Sequence, residues 1–503
     1  MEFLHVLKLL PIWRHNHSIP ESTMRHALSF STTCIATAVT LTILTACGGG
    51  SSSDAPPATN STILSGVVAT GAPLVGAPVM LKAVSGVLNT TTDANGKYGF
   101  DTVGLVGPFV LKATGLDNAA LYSAALGSDL GGVINISPLS TMVVSKAALK
   151  SGAALFDGFS AADATNLQNG LAPATTTVLT LLTPVFNALG LTPSESGILR
   201  GTLVTNNTGL DRVLDAVAIS FVGTEVTVAD RSGNPIATDD LADTPVGKMH
   251  DVQQSDLTAG ADASKAAIAL FAAVGTNCGS SAKSDSAACA ALFTNDYKHG
   301  GYSTPASYFN SWWADTGNTT TAIFTNTRIV GASQRGGIAV YKVRVDVESK
   351  TPATSASLER VGMYPEQMEI AKVGNEWRVA GDQQDFYLDT HYVSSLNRFM
   401  VRVKHPTTTW PSEVAAVLVE GPGLPDAGLL LSGTPTVNVN YGQTELSGCV
   451  KLTSASGPCN SSLIFSGGSH LNTFQPYRFK LLRQDMTQVG TGITWRPLKD
   501  ELN

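Results

Sequence analysis

The stretch that most constrains this chain is an uncharged apolar run over 27–43, introduced by Arg25 and His26 and closed by Leu44-Thr45-Ala46-Cys47. A basic head, a short apolar core and small residues before a cleavage point make a secretory signal. The run is short for a membrane-spanning helix, which needs ~20 residues. The chain beyond Cys47 is therefore expected to fold in an oxidising compartment, where disulfides persist. The segment 1–23, with Trp13, Arg14, His15 and His17, delays the apolar core, so Met24 is the expected true start.

Leu44-Thr45-Ala46-Cys47 resembles the bacterial lipobox. The resemblance implies that 1–47 is a signal peptide with lipobox, cut before Cys47, and that Cys47 is lipidated on sulfur and then on its new amine, palmitate being an expected chain. More than one acyl chain makes such anchoring stable. Gly48, not Asp, follows the cysteine, which in such lipoproteins implies the outer membrane of a bacterial cell envelope. The membrane is thus the first expected partner.

Charged residues are only 14% of the chain, its net charge is −7 and it has no Lys/Arg run. Nucleic acid is therefore not an expected partner. Of six cysteines, Cys34 falls in the signal and Cys47 is the lipidation site. The remaining four form two local pairs, Cys278 with Cys289 and Cys449 with Cys459, each flanking a Gly/Ser-containing loop. Disulfides are the expected reading; neither pair has Cys-x-x-Cys spacing or a nearby His, so no metal and no cofactor is expected.

After Cys47 the chain is long enough for about three domains of ~150 residues. GGGSSSDAPPATNS over 48–61 reads as a flexible tether. Ser65-Gly66-Val67-Val68, Gly76 to Leu81, Thr92-Asp93-Ala94-Asn95-Gly96-Lys97-Tyr98-Gly99-Phe100 and Phe109 to Ala113 are short β-prone runs broken by turn residues. In order and wording they resemble the carboxypeptidase regulatory-like, transthyretin-like β-sandwich over 62–115, with Tyr98 and Phe100 in its core. Asp93-Ala94-Asn95-Gly96 reads as a turn, since the other ligands of a calcium loop are missing.

From 116 to 260 Ala, Leu, Ser and Thr prevail, and a mainly helical segment is expected. Ser137 is a candidate N-cap with Pro138 at the first helical position. Glu225 to Asp230 reads as a strand, and Asp239, Asp240 and Asp243 as an acidic, solvated loop. Helical runs at 263–274, 287–297 and 305–313 precede strands at 323–329, 338–347 and 367–373 and the late Gly374-Asn375-Glu376-Trp377-Arg378-Val379-Ala380-Gly381. This order resembles the NTF2-like α+β cone over 261–399. Strand-like stretches with Gly/Pro turns over 400–503 suggest a C-terminal all-β domain. The expected fold class is multidomain: β-sandwich, helical segment, α+β unit and all-β domain.

No Gly-x-Ser-x-Gly elbow, His-Glu-x-x-His, phosphate loop or dinucleotide fingerprint occurs in the sequence, and no catalytic residue is assigned. The ligand-binding candidates are Asp296, His299, Tyr302, Tyr308, Trp312 and Trp313, because ring faces beside polar groups suit sugars and other amphipathic ligands. The leading expectation is a non-enzymatic surface module for binding or adhesion, with a carbohydrate or protein ligand. One alternative is an enzyme using Asp296 and His299, three apart on a helix, within an NTF2-like cavity. The other is a structural or assembly subunit of an envelope complex. Adjacent helical residues point ~100° apart, so Trp312 and Trp313 cannot both face a sheet. Thermal unfolding should show Trp→Ala costing ~3–5 kcal/mol at one position and little at the other.

Overall fold

The computed structural model describes residues 62–115, 119–192, 197–315, 321–351, 359–393, 398–421, 424–425, 427–438, 443–451 and 474–497. It is a mixed α/β chain built on several antiparallel sheets. The first sheet has the order β3 (Val87–Thr91), β2 (Pro78–Lys82), β5 (Phe109–Thr114), β6 (Ala120–Ala125), and it faces a pair of β1 (Ile63–Val67) and β4 (Lys97–Asp101). Tyr98 and Phe100 project from alternate positions of β4 into the shared core, as expected. The carboxylate of Asp93 accepts from the backbone N–H of Asn95 (2.8 Å) and Lys97 (2.9 Å), so it serves the turn. Since β6 pairs with β5 along its length, the sheet runs past the expected boundary at 115.

Ser137 caps α1 (Pro138–Ala148) in a capping box with Ser140, and Pro138 takes the first turn. A cap of this kind contributes about 1 kcal/mol. α1 lies across β6 and against α3 (Ala161–Ala188) in one apolar core. The region 116–260 is less helical than expected. After α4 (Gly209–Ala216) it forms a four-stranded antiparallel meander of β7 (Val217–Val222), β8 (Glu225–Asp230), β9 (Pro235–Asp240) and β10 (Lys248–Met249). Only β8 stands out by composition. The others gain stability from pairing and from burial of Val217, Ile236 and Ala237 in the core of the helices. Asp239 does not sit in a solvated loop: Lys146 of α1 reaches it at 2.9 Å, with both side chains under 5% exposed. Burial raises the Asp239 pKa, against the pull of Lys146.

α5 (Gln254–Cys278) starts before the expected boundary at 261 and joins two cores. Leu257 and Ala261 pack with the preceding helices, whereas Ala267, Phe271 and Val274 pack under the next sheet. That sheet is the antiparallel meander β11 (Thr321–Arg335), β12 (Ile338–Thr351), β13 (Glu359–Val373), β14 (Glu376–Gly381). A bulge in β11 gives Asn326 a φ of 52°. Its amide accepts from the Val75 N–H (2.5 Å) and donates to Asp346 (2.6 Å), which fastens the sandwich to this sheet. The helices α6 (Ala287–Ala290) and α7 (Pro305–Asp315) follow α5 before the meander.

Cys278, ending α5, is joined to Cys289 of α6 by a buried disulfide, 11 residues apart. Replacing both by Ser is expected to cost ~2–4 kcal/mol in denaturant unfolding; unchanged stability would mean that the bridge is not formed. Cys459 and the side chain of Cys449 lie outside the described residues, as do 1–61 with Cys47.

The α+β meander ends at Gly381, earlier than the expected boundary at 399. β15 (Tyr387–Val393) and β16 (Arg398–His405) pair onward with β20 (Gln443–Lys451) and β19 (Thr436–Asn438). A second sheet, β18 (Leu429–Ser432), β17 (Ala416–Glu420), β21 (Phe474–Leu482), β22 (Gln488–Pro497), shares their core through Leu388, Val401, Val417 and Phe479. β-propensity at 387–405 is ordinary, and only this partner sheet assigns those strands to the C-terminal part.

Candidate functional site

Helix is predicted over 287–297, but only Ala287–Ala290 is helical. Beyond it the backbone runs beside β14: the N–H of Thr294 donates to Val379 O (2.9 Å) and that of Lys298 to Ala380 O (3.1 Å). An available sheet edge satisfies these groups and outweighs local helical propensity. His299-Gly300-Gly301-Tyr302 then forms a two-residue reverse turn with central φ values of 53° and 83°, the region a type I′ turn requires. At Gly301 there is no room for a side chain: a Cβ would lie 2.3 Å from Asp385 O and 2.5 Å from Pro406 Cδ.

This turn buries His299, at 3% exposure, between two carboxylates from the end and middle of the sheet. Its Nδ1 is 3.4 Å from Asp382 Oδ2 and its Nε2 is 3.4 Å from Glu366 Oε2. Those are ion-pair distances, longer than tight hydrogen bonds. Asp382 is held in place because its other oxygen accepts from the N–H groups of Gly300 and Gln384, both at 2.9 Å. Burial disfavours the charged ring, but Asp382 and then Glu366 overcome it, and the His299 pKa is pushed up to about 10. Burial first, and the same carboxylates second, push the Tyr297 phenol well above its ordinary range. His299 is thus a fixed cation at neutral pH, and a poor general base.

The candidates divide. Tyr308 packs edge-on against His299 with ring centroids 4.7 Å apart, and Tyr302 lies 6.1 Å from Tyr308. Tyr302 also stacks on Tyr387 of β15, and the amide of Gln443 joins the two phenols, donating to Tyr302 (2.7 Å) and accepting from Tyr387 (3.0 Å). Asp296 points away from His299: its side chain is 66% exposed and meets Arg335 at 3.4 Å. The Asp296–His299 pairing is therefore replaced by Asp382 and Glu366, which sequence reasoning missed. Asp382 follows the Trp-Arg-Val-Ala-Gly strand directly, but a partner brought in by sheet pairing leaves no spacing signal. Trp312 and Trp313 belong to α7, and their side chains lie outside the described residues.

Residues 383–386 also line a cleft of about 520 Å³, with Phe386, His405, Glu413 and Phe479 among its walls. His405 Nδ1 meets Thr407 Oγ1 at 2.7 Å, and its ring packs 4.9 Å from that of Phe386. Burial lowers the His405 pKa, against the pull of Asp385. The cleft thus presents a neutral imidazole, side-chain amides, carboxylates and ring edges. Among the described residues no group of three or more His, Cys, Asp or Glu is placed to hold a metal ion.

A second buried cluster lies between α4, α5 and β11. Asp211 and Asp215, one helical turn apart, are both 1% exposed. Asp215 accepts from Ser264 (2.7 Å) and Asn207 (2.7 Å). The Arg231 guanidinium donates to the backbone carbonyls of Leu214, Asp215 and Ile329, at 2.5, 2.9 and 2.6 Å. Asp211 accepts from the Asn207 N–H at 2.6 Å through one oxygen, while the other is buried without a hydrogen bond. Burial, then the neighbouring Asp215, push the Asp211 pKa up to about 7.

Comparison with protein-family models, with curated proteins and with solved structures finds no match for this chain.

Proposed function

We propose that this chain is a lipid-anchored lipoprotein of the bacterial outer membrane that binds a polar ligand without transforming it. In this reading Cys47 carries the lipid, the 62–125 region is a transthyretin-like sandwich, and α5 to β14 form an NTF2-like unit that braces the C-terminal sheets. Helices preceding a four-stranded meander support the second assignment. The observation that carries the binding reading is the cleft of about 520 Å³ beside Phe386, His405 and Glu413. It falls within the ~300–1,000 Å³ typical of ligand pockets, and its mixture of rings with amide and carboxylate groups suits a neutral saccharide. Against an acid–base enzyme at Asp296 and His299 stand the exposure of the former and the locked charge of the latter.

Two measurements test it. Mass spectrometry of the mature N-terminus should find Cys47 acylated, and Cys47→Ala should release the chain from membranes; an unmodified Cys47 would refute the anchor. Calorimetric titration of the full chain in detergent with neutral oligosaccharides should give saturable binding. Glu413→Gln and His405→Asn should each weaken it by roughly tenfold, the loss of about one hydrogen bond to a polar ligand. A folded chain that binds none of them overturns the saccharide reading.

A further inference from the structure

Exposed valines gather at one end of the first sandwich. Val84 lies in the β2–β3 turn and Val87 opens β3, at 56% and 45% exposure, and Val103 and Val106 lie in the β4–β5 loop, at 70% and 79%. The two loops adjoin, since a Cβ at Gly86 would lie 3.1 Å from Leu105 Cδ2. Exposed valines scattered singly are ordinary; a concentration on two touching loops is not.

The chain enters the sandwich at this same end. Antiparallel register sets Ile63 opposite Asp101, the last residue of β4. Thr62 is tied beside the β4–β5 loop: its carbonyl accepts from the N–H (3.0 Å) and hydroxyl (2.6 Å) of Thr102, and its own hydroxyl donates to Asp101 (2.9 Å). Ile63 adds a further half-exposed apolar side chain. The ionisable groups at this end are few, and each has partners: exposed Asp101 accepts from the Thr62 hydroxyl (2.9 Å) and the Val103 N–H (3.2 Å). Lys82 turns its ammonium to the carbonyls of Phe156 (2.7 Å) and Asp157 (2.9 Å), and Asp129 is paired with Arg200 at 2.6 Å. The loops 83–86 and 102–108 contain no Lys, Arg, Asp or Glu.

We propose that this valine-tipped end is a membrane-contact surface, which dips into the headgroup boundary of the same bilayer that holds the Cys47 lipid. The inference rests on the proposed lipid anchor. A flexible Gly/Ser-rich chain of the length of residues 48–61, which lie outside the described residues, would span about 20 Å r.m.s., so on this proposal the end at which it enters the sandwich is the end nearest the lipid. Apolar side chains on loops that contain no basic residue gain from the acyl boundary rather than from anionic headgroups. The contact is therefore expected to be insensitive to salt.

The test uses the full lipidated chain in phosphatidylethanolamine/phosphatidylglycerol vesicles containing nitroxide-labelled lipid. Val103→Cys, Val106→Cys and Val222→Cys each carry an environment-sensitive fluorophore; Val222 is 75% exposed at the end of β7, which belongs to a different sheet. Labels at 103 and 106 should shift to the blue and lose intensity to the nitroxide, in low and high salt alike, whereas the label at 222 should do neither. Flotation of the vesicles reports the anchor separately. A chain that floats with no quenching at 103 and 106 overturns the proposal and leaves the anchor standing. Equal quenching at all three positions, or shielding of 103 and 106 only when other envelope proteins are added, overturns it as well. A chain that does not float removes the anchor, and the proposal with it.

Discussion

Asp211→Asn is expected to stabilise the protein at neutral and alkaline pH, by about 2–4 kcal/mol above pH 8, and to change little at pH 4. The carboxyl is buried beside Asp215, and its pKa rises from an ordinary 3.8 to about 7 on folding. The folded chain therefore holds the proton that the unfolded chain has released between those values. Stability from this group is full below the unfolded pKa and is lost as pH rises through the folded one. Asn keeps the acceptor for the Asn207 N–H and cannot ionise. Its new N–H groups face a cluster that already contains the Asp215 carboxylate, with Arg212, Arg231 and Asp262 as the other charged neighbours. Denaturant unfolding of both proteins at pH 4.5 and pH 8 is the measurement. An equal loss at both values would mean that Asp211 is an ordinary ionised carboxylate and that the Asn amide does not fit.

His299→Gln is expected to destabilise by about 3–5 kcal/mol at pH 6, because it leaves Asp382 and Glu366 facing a neutral side chain in a buried site. The sign of the pH dependence is that of any histidine paired with a carboxylate, but its window lies higher. The folded pKa of about 10 lies above the ordinary 6.5. The contribution is therefore fully present below about pH 6.5 and declines as pH rises through 10. The gap between the two proteins should narrow over that window. A gap that closes between pH 6 and pH 7 would show an ordinary imidazole and reopen its use as a base. Ligand binding in the cleft should survive in the folded fraction, since His299, Asp382 and Glu366 are not among the cleft's walls.

The two buried charge clusters and Asn326 share a structural part. Each ties elements far apart in sequence: Arg231 reaches β11, Asn326 reaches the sandwich, and Asp382 grips the 299–302 turn. α5 does the same with apolar side chains, since its two halves lie in different cores. Buried polar groups need partners at fixed positions, so these contacts set how neighbouring layers meet, a job that apolar packing alone does less specifically.

Local chemistry was legible in the sequence. Asp93-Ala94-Asn95-Gly96 determined a turn because the Asp side chain and the Gly backbone suit it without help from elsewhere. Ser137-Pro138 determined a helix start, the resemblance to a transthyretin-like sandwich implied a core place for Tyr98 and Phe100, and the spacing of Cys278 and Cys289 put them within reach of one another. The apolar run before Cys47 set the expected compartment by the same local logic. What only the tertiary structure decided was pairing. Whether 291–298 became helix or ran along β14 depended on an open sheet edge more than 80 residues away in the chain. The allotment of β15 and β16 to the C-terminal sheets depended on β20, and the conversion of Asp239 from a solvated loop residue to the buried partner of Lys146 depended on α1. His299 shows the difference most sharply. Its sequence neighbours offered Asp296, within three residues, but long-range sheet register offered Asp382 and Glu366. The ion pair formed where the backbone had already brought the charges together, because a buried cation is stable only beside the carboxylates that fold in with it.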